Sequence, residues 1–260
     1  MFGEELRFIR KGFMGHVHRI MGDLSVGRRV KLYALRNIFD AHIGPTDTIL
    51  DGGCGRGLFS LYLAKQHPAA HVTGIDYDTD AIQDGNTMKR RASIQNVTFE
   101  QGDLRTYRRK RGYDVVVSIN ATHYCGDEDI EIFRRFHDSL KDDGTLILVA
   151  QKSLYEGIFP KRRLEQKISK KRKEQKYTKE ELFRKVKDAG FVVDRRMTIT
   201  GTAGSFLRDI WIFLERVPPL FIITFPFAIF LARLDPYLTS RRGSNWVIIA
   251  HKKEEDNRRR

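Results

Sequence analysis

Four positions along the middle of the chain carry residue types suited to holding a nucleoside-like ligand. Residues 51–57 read DGGCGRG, directly after an apolar run and directly before a helix-like stretch. Glycines there let the backbone turn tightly and approach a ligand more closely than a Cβ would permit. Asp76 follows Gly57 by nineteen residues, a spacing at which a carboxylate accepts both hydroxyls of a ribose. Asp103 and Asn120 end the next two apolar runs.

The elements that must position these residues alternate in type. Short runs rich in Val, Ile, Leu and Phe are centred near residues 49, 74, 98, 116 and 147, as expected of parallel strands buried on both faces. Helix-like stretches lie between them at 57–66, 79–92 and 127–140. This alternation predicts an α/β fold with a doubly wound, mostly parallel sheet. Ligands of such sheets bind at the carboxyl ends of the strands.

Each of these residues also has a purely structural explanation. The glycine-rich segment also suits a tight turn without a ligand, and each acid suits a helix N-cap or a solvated turn. Arg56-Gly57-Leu58 stands where a P-loop has Gly-Lys-Ser/Thr, which argues against nucleotide hydrolysis. A dinucleotide-dependent dehydrogenase would explain the glycine-rich segment and Asp76 better than a nucleotide hydrolase would.

The segment LDGGCGRG resembles the first motif of the class I S-adenosylmethionine-dependent methyltransferases, an apolar run and an acid followed by G-x-G-x-G. Gly52 replaces the common apolar residue. The resemblance covers residues 45–150 and, more loosely, the closing NWVIIAHK. It implies a seven-stranded Rossmann-like fold, with FVVDRRMTIT as the sixth strand and an antiparallel seventh. It also implies S-adenosylmethionine as the cofactor.

The resemblance assigns roles to the glycine-rich segment. The backbone of Gly53, Gly55 and Gly57 would face the amino-acid portion of the cofactor. Asp51 would support that loop from the preceding strand.

The same resemblance assigns the remaining strand ends. Asp76 would hold the ribose hydroxyls, and Tyr77 would flank the adenine. Asp103 would accept from the adenine amino group while Leu104 lines the ring. Asn120 would lie beside the methionine moiety.

The segment SINATHYC after the fourth strand bears on the methyl acceptor. An oxygen or carbon acceptor gains from a general base, and His123 is the candidate, with Tyr124 positioning the acceptor. The alternative is that His123 only packs the loop. The segment lacks the Pro-Pro-aromatic run with which related enzymes grip a flipped base.

Composition and charge narrow the class of protein. The 260 residues are 41% hydrophobic, which excludes a disordered or fibrous chain. Two cysteines, Cys54 and Cys125, are too few for a disulfide framework or a Cys-rich zinc site, so we expect no metal and a reduced, cytoplasmic setting. The net charge of +14 divides into +5 over residues 1–36, −4 over 37–150 and +13 over 151–260. The surplus therefore lies on the flanks.

The flanks combine basic and apolar segments. Residues 161–176 carry nine basic and two acidic side chains, and Thr178 opens a capping-box pattern for a separate helix. Residues 217–232 have no charge, but they are too short for a membrane span and contain prolines that we expect to interrupt a helix. They are interpreted as a lid, a membrane-surface element or core. The N-terminal arm shows a basic amphipathic pattern over residues 2–20.

These observations predict five consecutive segments. They are an N-terminal helical arm or lid (1–40), a Rossmann-like cofactor-binding core (41–150), a basic helical segment with a helix and the sixth strand (151–199), an apolar insertion (200–244), and the last strand with a charged tail (245–260). The predicted function is methyl transfer to a hydrophobic acceptor such as a lipid, quinone or isoprenoid, by an enzyme peripheral to the inner face of an anionic membrane. An RNA methyltransferase using residues 161–176 is the alternative, and a non-catalytic cofactor-binding scaffold is the third.

Overall fold

The computed structural model describes residues 26–109, 111–122, 128–152, 177–199, 218–238 and 243–252. The chain divides into two compact units. The larger comprises the described residues of His42–Ser153, Glu174–Met197 and Trp246–Arg260, and the smaller those of Met1–Ala41, Leu154–Lys173 and Thr198–Asn245. All four strand ends singled out above belong to the larger unit. The division into five consecutive segments stays a prediction.

The larger unit is built on a seven-stranded sheet. Its strands are β1 (Thr48–Gly52), β2 (His71–Asp76), β3 (Val97–Gln101), β4 (Tyr113–Ile119), β5 (Leu140–Gln151), β6 (Phe191–Ile199) and β7 (Asn245–Lys252). The order is β3-β2-β1-β4-β5-β7-β6, and the pairs β1–β2, β1–β4, β2–β3 and β4–β5 are parallel. The Rossmann-like methyltransferase fold is thereby confirmed. The last strand inserts between the fifth and the sixth.

The helices of the larger unit follow the predicted positions closely. They are α2 (Leu58–Gln66), α3 (Thr79–Arg91), α4 (Asp129–Ser139) and α5 (Lys179–Asp188), and α1 (Val26–His42) precedes them in the chain. The Asp78 carboxylate caps α3 by accepting from the backbone N–H groups of Asp80 and Ala81 at 3.0 and 3.2 Å. Thr178 caps α5 by accepting from the Glu181 N–H at 3.2 Å, as its sequence pattern predicts.

Asp114 joins three strands at the edge of the sheet opposite the strand ends of interest. Its carboxylate accepts from the backbone N–H and the hydroxyl of Thr48 at 2.8 and 2.7 Å, and from Lys141 Nζ at 2.8 Å. β5 begins earlier than predicted, because Leu140 already pairs with Tyr113 before an irregularity shifts the register. These bonds fix β1, β4 and β5 relative to one another.

Phe136 of α4 explains why Gly52 departs from the family motif. A Cβ added at Gly52 would lie 2.6 Å from the Phe136 ring, so the ring fills the space that the usual apolar side chain would take. Phe136 is 1% exposed and packs with Leu50, Val116 and Leu148 of the sheet. The exchange preserves core volume, which well-packed interiors tolerate best.

The smaller unit contains α6 (Pro218–Leu238), and this helix corrects an expectation. Pro226 was expected to interrupt the segment, yet α6 is continuous through it. Pro218 and Pro219 stand in the first turn, where a missing N–H costs little. Phe225, Ala228 and Ala232 are buried, and their packing offsets the one interior hydrogen bond that Pro226 cannot make.

The two faces of α6 differ. Phe225 lies under the guanidinium of Arg29, 5.4 Å from the ring centre. On the other face Ile223, Phe227 and Phe230 are 75%, 64% and 57% exposed. Among the helices of the described ranges, none is long and apolar enough to cross a membrane. The segments 2–20 and 161–176 lie outside the described residues.

Candidate functional site

The three glycines of the loop between β1 and α2 have left-handed backbones but different surroundings. Their φ angles are +77° at Gly53, +54° at Gly55 and +77° at Gly57. A Cβ at Gly53 would lie 2.1 Å from the Cβ of Ala121, and one at Gly57 would lie 2.3 Å from the ring of Phe99. At Gly55 no atom of another described residue lies within 4 Å of that position. Packing therefore excludes a side chain at Gly53 and Gly57, whereas the described residues leave space beside Gly55.

Phe99 on β3 supports this loop, and sequence reasoning missed it. Its ring also lies 2.8 Å from the Cβ position of Gly74 on β2 and 3.4 Å from that of Gly85 on α3. One buried aromatic ring thus occupies the space left by three glycines from three elements. The signal in the sequence is a glycine inside a strand and another inside a helix, which usually marks a close approach.

The loop is tied to the end of β2 by backbone hydrogen bonds and by Asp76. The N–H groups of Gly53 and Cys54 both donate to the Ile75 carbonyl, at 2.8 and 2.9 Å. The Asp76 carboxylate accepts from the Gly55 N–H at 2.7 Å with one oxygen and from the Asp78 N–H at 3.0 Å with the other. Each oxygen keeps a further lone pair for a hydroxyl.

Asp51 lies beneath the loop and is 2% exposed. Its pKa is raised to about 6, chiefly by burial and to a smaller extent by the nearby charge of Asp76, and a 2.6 Å hydrogen bond from the Ser60 hydroxyl opposes the rise. Burial also raises the pKa of the Cys54 thiol well above its usual range. Cys54 is therefore a protonated packing residue rather than a nucleophile.

The carboxylate of Asp103, after β3, is held by Arg105. The Arg105 guanidinium donates to both oxygens, at 2.6 to 3.0 Å, and also to Glu128 at 2.8 Å. These hydrogen bonds lower the pKa of Asp103. Leu104 beside it is buried, with a methyl group 3.7 Å from the Cβ position of Gly53. Arg105 and Glu128 were not predicted from the sequence.

Asn120 follows β4 with a left-handed backbone, φ +54°. Its N–H donates to the Val149 carbonyl at 2.8 Å. Its side-chain Oδ1 is buried and has no hydrogen-bond partner among the residues that the structure describes. A buried acceptor without a donor costs free energy, so a ligand that brings a donor is favoured here.

The chain resembles known methyltransferases over this region. Residues 49–144 match the family model described as a methyltransferase domain. A malonyl-[acyl-carrier protein] O-methyltransferase of Bacillus cereus is 33% identical over 99 residues, which are 38% of this chain and 35% of that protein. A fatty-acid O-methyltransferase of Mycolicibacterium smegmatis is 33% identical over 76 residues, 29% of this chain and 27% of that protein. The chain thus spans about a third or less of these relatives.

A solved structure extends the likeness to most of the chain. Phosphoethanolamine N-methyltransferase 2 of Haemonchus contortus, in complex with S-adenosyl-L-methionine, superposes with a TM-score of 0.63 at 15% identity, covering 95% of this chain and 61% of that one. Residues 49–144 form a methyltransferase domain. The cofactor bound in that solved structure is S-adenosyl-L-methionine.

The residues of the methyltransferase domain fit this cofactor. The open backbone of Gly55 admits a ligand, the Asp76 oxygens can accept from hydroxyls, and the unpaired Oδ1 of Asn120 can accept from an amino group. Three carboxylates, those of Asp51, Asp76 and Asp103, also stand at successive strand ends and favour a ligand that carries positive charge.

Of the remaining predicted site residues, the structure describes Tyr77. Tyr77 lies directly after β2 and is 63% exposed, so its ring is available to a ligand. His123 and Tyr124 lie outside the described residues. No group of three or more His, Cys, Asp or Glu suited to a metal ion occurs in the described ranges.

Proposed function

We propose that this chain transfers a methyl group from S-adenosylmethionine to a hydrophobic small-molecule acceptor. The observation that carries the proposal is the arrangement of Gly55, Asp76 and Asn120. Gly55 has space beside its backbone, Asp76 holds the loop by accepting from the Gly55 N–H, and the buried Asn120 Oδ1 has no partner among the described residues. The three residues follow neighbouring strands at one edge of the sheet.

The loop residues hold the amino-acid end of the cofactor in this proposal. The backbone of Gly53, Gly55 and Gly57 faces that end, and Asp51 fixes the start of α2 through Ser60. The cofactor supplies an electrophilic methyl group on a positively charged sulfur.

The other strand ends hold its remaining parts. Asp76 accepts from the ribose hydroxyls, and Tyr77 covers the adenine. Leu104 lines the ring. Asp103 accepts from the adenine amino group when Arg105 gives up one of its hydrogen bonds to the Asp103 carboxylate. Asn120 accepts from the methionine amino group. Their joint work is to align the methyl group with the acceptor and to keep water away.

The acceptor is proposed to be lipid-like. The two curated relatives act, by their names, on malonyl-[acyl-carrier protein] and on fatty acids. The exposed apolar face of α6, formed by Ile223, Phe227 and Phe230, supports contact with a membrane that contains such an acceptor. The basic flank of residues 151–260 suits the anionic surface of a membrane. We therefore propose a cytoplasmic protein that associates peripherally with that surface.

We propose that His123 and Tyr124 contact the methyl acceptor. His123 would remove a proton from a hydroxyl or carbon acceptor, and Tyr124 would position it. The rate of methylation by a His123→Ala variant tests this role. A wild-type rate with every acceptor at every pH would contradict it.

The test has a binding arm and a turnover arm. We expect calorimetry to show cofactor binding that Asp76→Ala weakens by roughly tenfold to a hundredfold, because charged hydrogen bonds are lost. Labelled methyl donor is then offered with fatty acids, quinones, isoprenoids and RNA in parallel. Transfer to RNA alone would establish the RNA methyltransferase alternative, and binding without transfer to any acceptor would favour a scaffold. Absence of cofactor binding would overturn the proposal.

A further inference from the structure

Lys152, directly after β5, is a partly buried cation. Its ammonium lies over the indole of Trp246, 4.0 Å from the ring centre. No acid or hydrogen-bond acceptor contacts this ammonium among the residues that the structure describes. Burial alone lowers the pKa of Lys152.

Two other lysines of the larger unit with little exposure, Lys185 and Lys252, have partners. Lys185 Nζ donates to Asp129 at 2.8 Å and lies 3.3 Å from Glu181. Lys252, which is 5% exposed, donates to the Leu140 carbonyl at 3.1 Å. A desolvated charge is costly unless it is paired. The indole face of Trp246 offsets only part of the desolvation cost of the Lys152 ammonium. Binding of an anionic ligand beside this ammonium is therefore favoured.

Lys152 belongs to the same sheet edge as Asn120. Tyr177 connects the two: its backbone bridges to Lys152, and its hydroxyl donates to the Thr122 carbonyl, two residues past Asn120, at 3.4 Å. Thr122 is 1% exposed, and its hydroxyl has no hydrogen-bond partner within the described ranges. Among the residues that the structure describes, the Lys152 ammonium, the Thr122 hydroxyl and the Asn120 oxygen thus lie without partners at the ends of β4 and β5.

We infer that Lys152, on the face of Trp246 and with the Thr122 hydroxyl, binds the carboxylate of an apolar carboxylic acid that is the methyl acceptor. This inference rests on the proposed function and names its substrate class. A single ammonium matches the single charge of a carboxylate, whereas a phosphate dianion usually recruits several donors. The indole gives the adjoining methylene groups an apolar surface.

The reaction balances without a general base. One carboxylate oxygen forms the bond to the methyl carbon as the carbon–sulfur bond breaks and its electron pair stays on sulfur. The products are a methyl ester and a neutral thioether, and no proton moves. Because the carboxylate loses its charge as the ester forms, Lys152 stabilises the bound acid more than the transition state. Lys152 is therefore a substrate-binding residue that acts mainly on Kd and KM.

The experiment compares decanoate with 1-decanol in equilibrium binding. The Trp211→Phe background leaves Trp246 as the one tryptophan of the sequence, so its fluorescence reports the ligand directly. We expect the background protein to prefer decanoate, and Lys152→Gln to lose roughly tenfold to a hundredfold in decanoate affinity while 1-decanol binding is unchanged. Lys152→Arg should stay within about threefold, because the charge is kept.

Lys187→Gln is the matched control. Lys187 also lies over an aromatic ring, 5.0 Å from the centre of Phe183, but on the exposed surface of α5. It should bind decanoate like the parent protein.

Three results would overturn the inference. They are equal affinity of the unsubstituted protein for decanoate and 1-decanol, unchanged decanoate binding by Lys152→Gln, and equal loss of both ligands in that variant. The first needs no Lys152 variant, so a folding defect cannot obscure it. If S-adenosylmethionine binds and another acceptor is methylated, only this inference fails. If the cofactor does not bind, the proposed function fails as well.

Discussion

The Arg105 guanidinium binds both carboxylate oxygens of Asp103, the residue proposed to accept from the adenine amino group. The side chains of Arg105 and Asp103 are 50% and 36% exposed, and an ion pair of this exposure stabilises a fold by about 0–1 kcal/mol. Ligand binding can therefore compete with it.

The first prediction follows from this competition. Arg105→Gln should tighten cofactor binding by up to about fivefold, because the oxygens of Asp103 become free. Asp103→Asn should weaken it, because a charged acceptor is lost. Calorimetry measures both. Arg134→Gln, which removes an exposed pair with Glu131 on α4, should leave affinity unchanged. Weaker binding by Arg105→Gln would show that Arg105 itself holds the ligand.

The second prediction separates Gly57 from Gly55. Gly57→Ala places a methyl group 2.3 Å from Phe99 at a positive φ, so it should destabilise the fold by about 2–4 kcal/mol. Gly55→Ala meets no atom of the other described residues and should cost about 1 kcal/mol through its backbone alone, while it greatly weakens cofactor binding. Thermal unfolding and calorimetry give the two quantities. Phe99→Leu should partly restore the stability of Gly57→Ala. Equal melting temperatures for the two alanine variants would contradict this assignment.

The third prediction concerns pH. The pKa of Asp51 is about 6 in the folded protein against 3.8 ordinarily, so the folded state binds a proton more tightly than the unfolded state. The contribution of Asp51 to stability is then fully present below pH 4 and lost as the pH rises to 6, by about 3 kcal/mol at most.

Asp51→Asn removes this titration and keeps an acceptor for Ser60. The free energy of unfolding of the variant relative to the wild type should rise between pH 4 and pH 7. Denaturant titrations at both pH values test it. Ser60→Ala should lower stability more at pH 7, because it removes a donor from the charged form. A pH-independent difference between Asp51→Asn and the wild type would refute the raised pKa.

The fourth prediction tests the exposed face of α6. Combined substitution of Ile223, Phe227 and Phe230 by serine should reduce binding to phosphatidylglycerol vesicles at least roughly tenfold, because the buried apolar area is lost. The melting temperature should hardly change, since these side chains are exposed. Phe225→Ala, on the buried face, should instead cost about 3–5 kcal/mol of stability. Vesicle co-sedimentation at wild-type levels by the triple variant would rule out this face as the membrane contact.

Local signals in the sequence determined most of the fold. The apolar runs located β1 to β5, the family resemblance added β6 and β7, and the cap of α5 was visible in Thr178. Residues at parallel strand ends share one sheet edge by topology, which is why Asp76 and Asn120 could be assigned to one site. Pro226 was misread because helix continuity depends on the packing of Phe225 and its neighbours, which the local sequence does not report.

Tertiary structure alone decided how those residues are used. Which glycine faces open space depends on where Phe99 lies, and the availability of Asp103 depends on the rotamer of Arg105. That the indole of Trp246 lies beside Lys152 depends on the insertion of β7 next to β5. Chain periodicity specifies elements because it is local. Pairing and desolvation of charges arise between segments distant in sequence, so they exist only once the chain has folded.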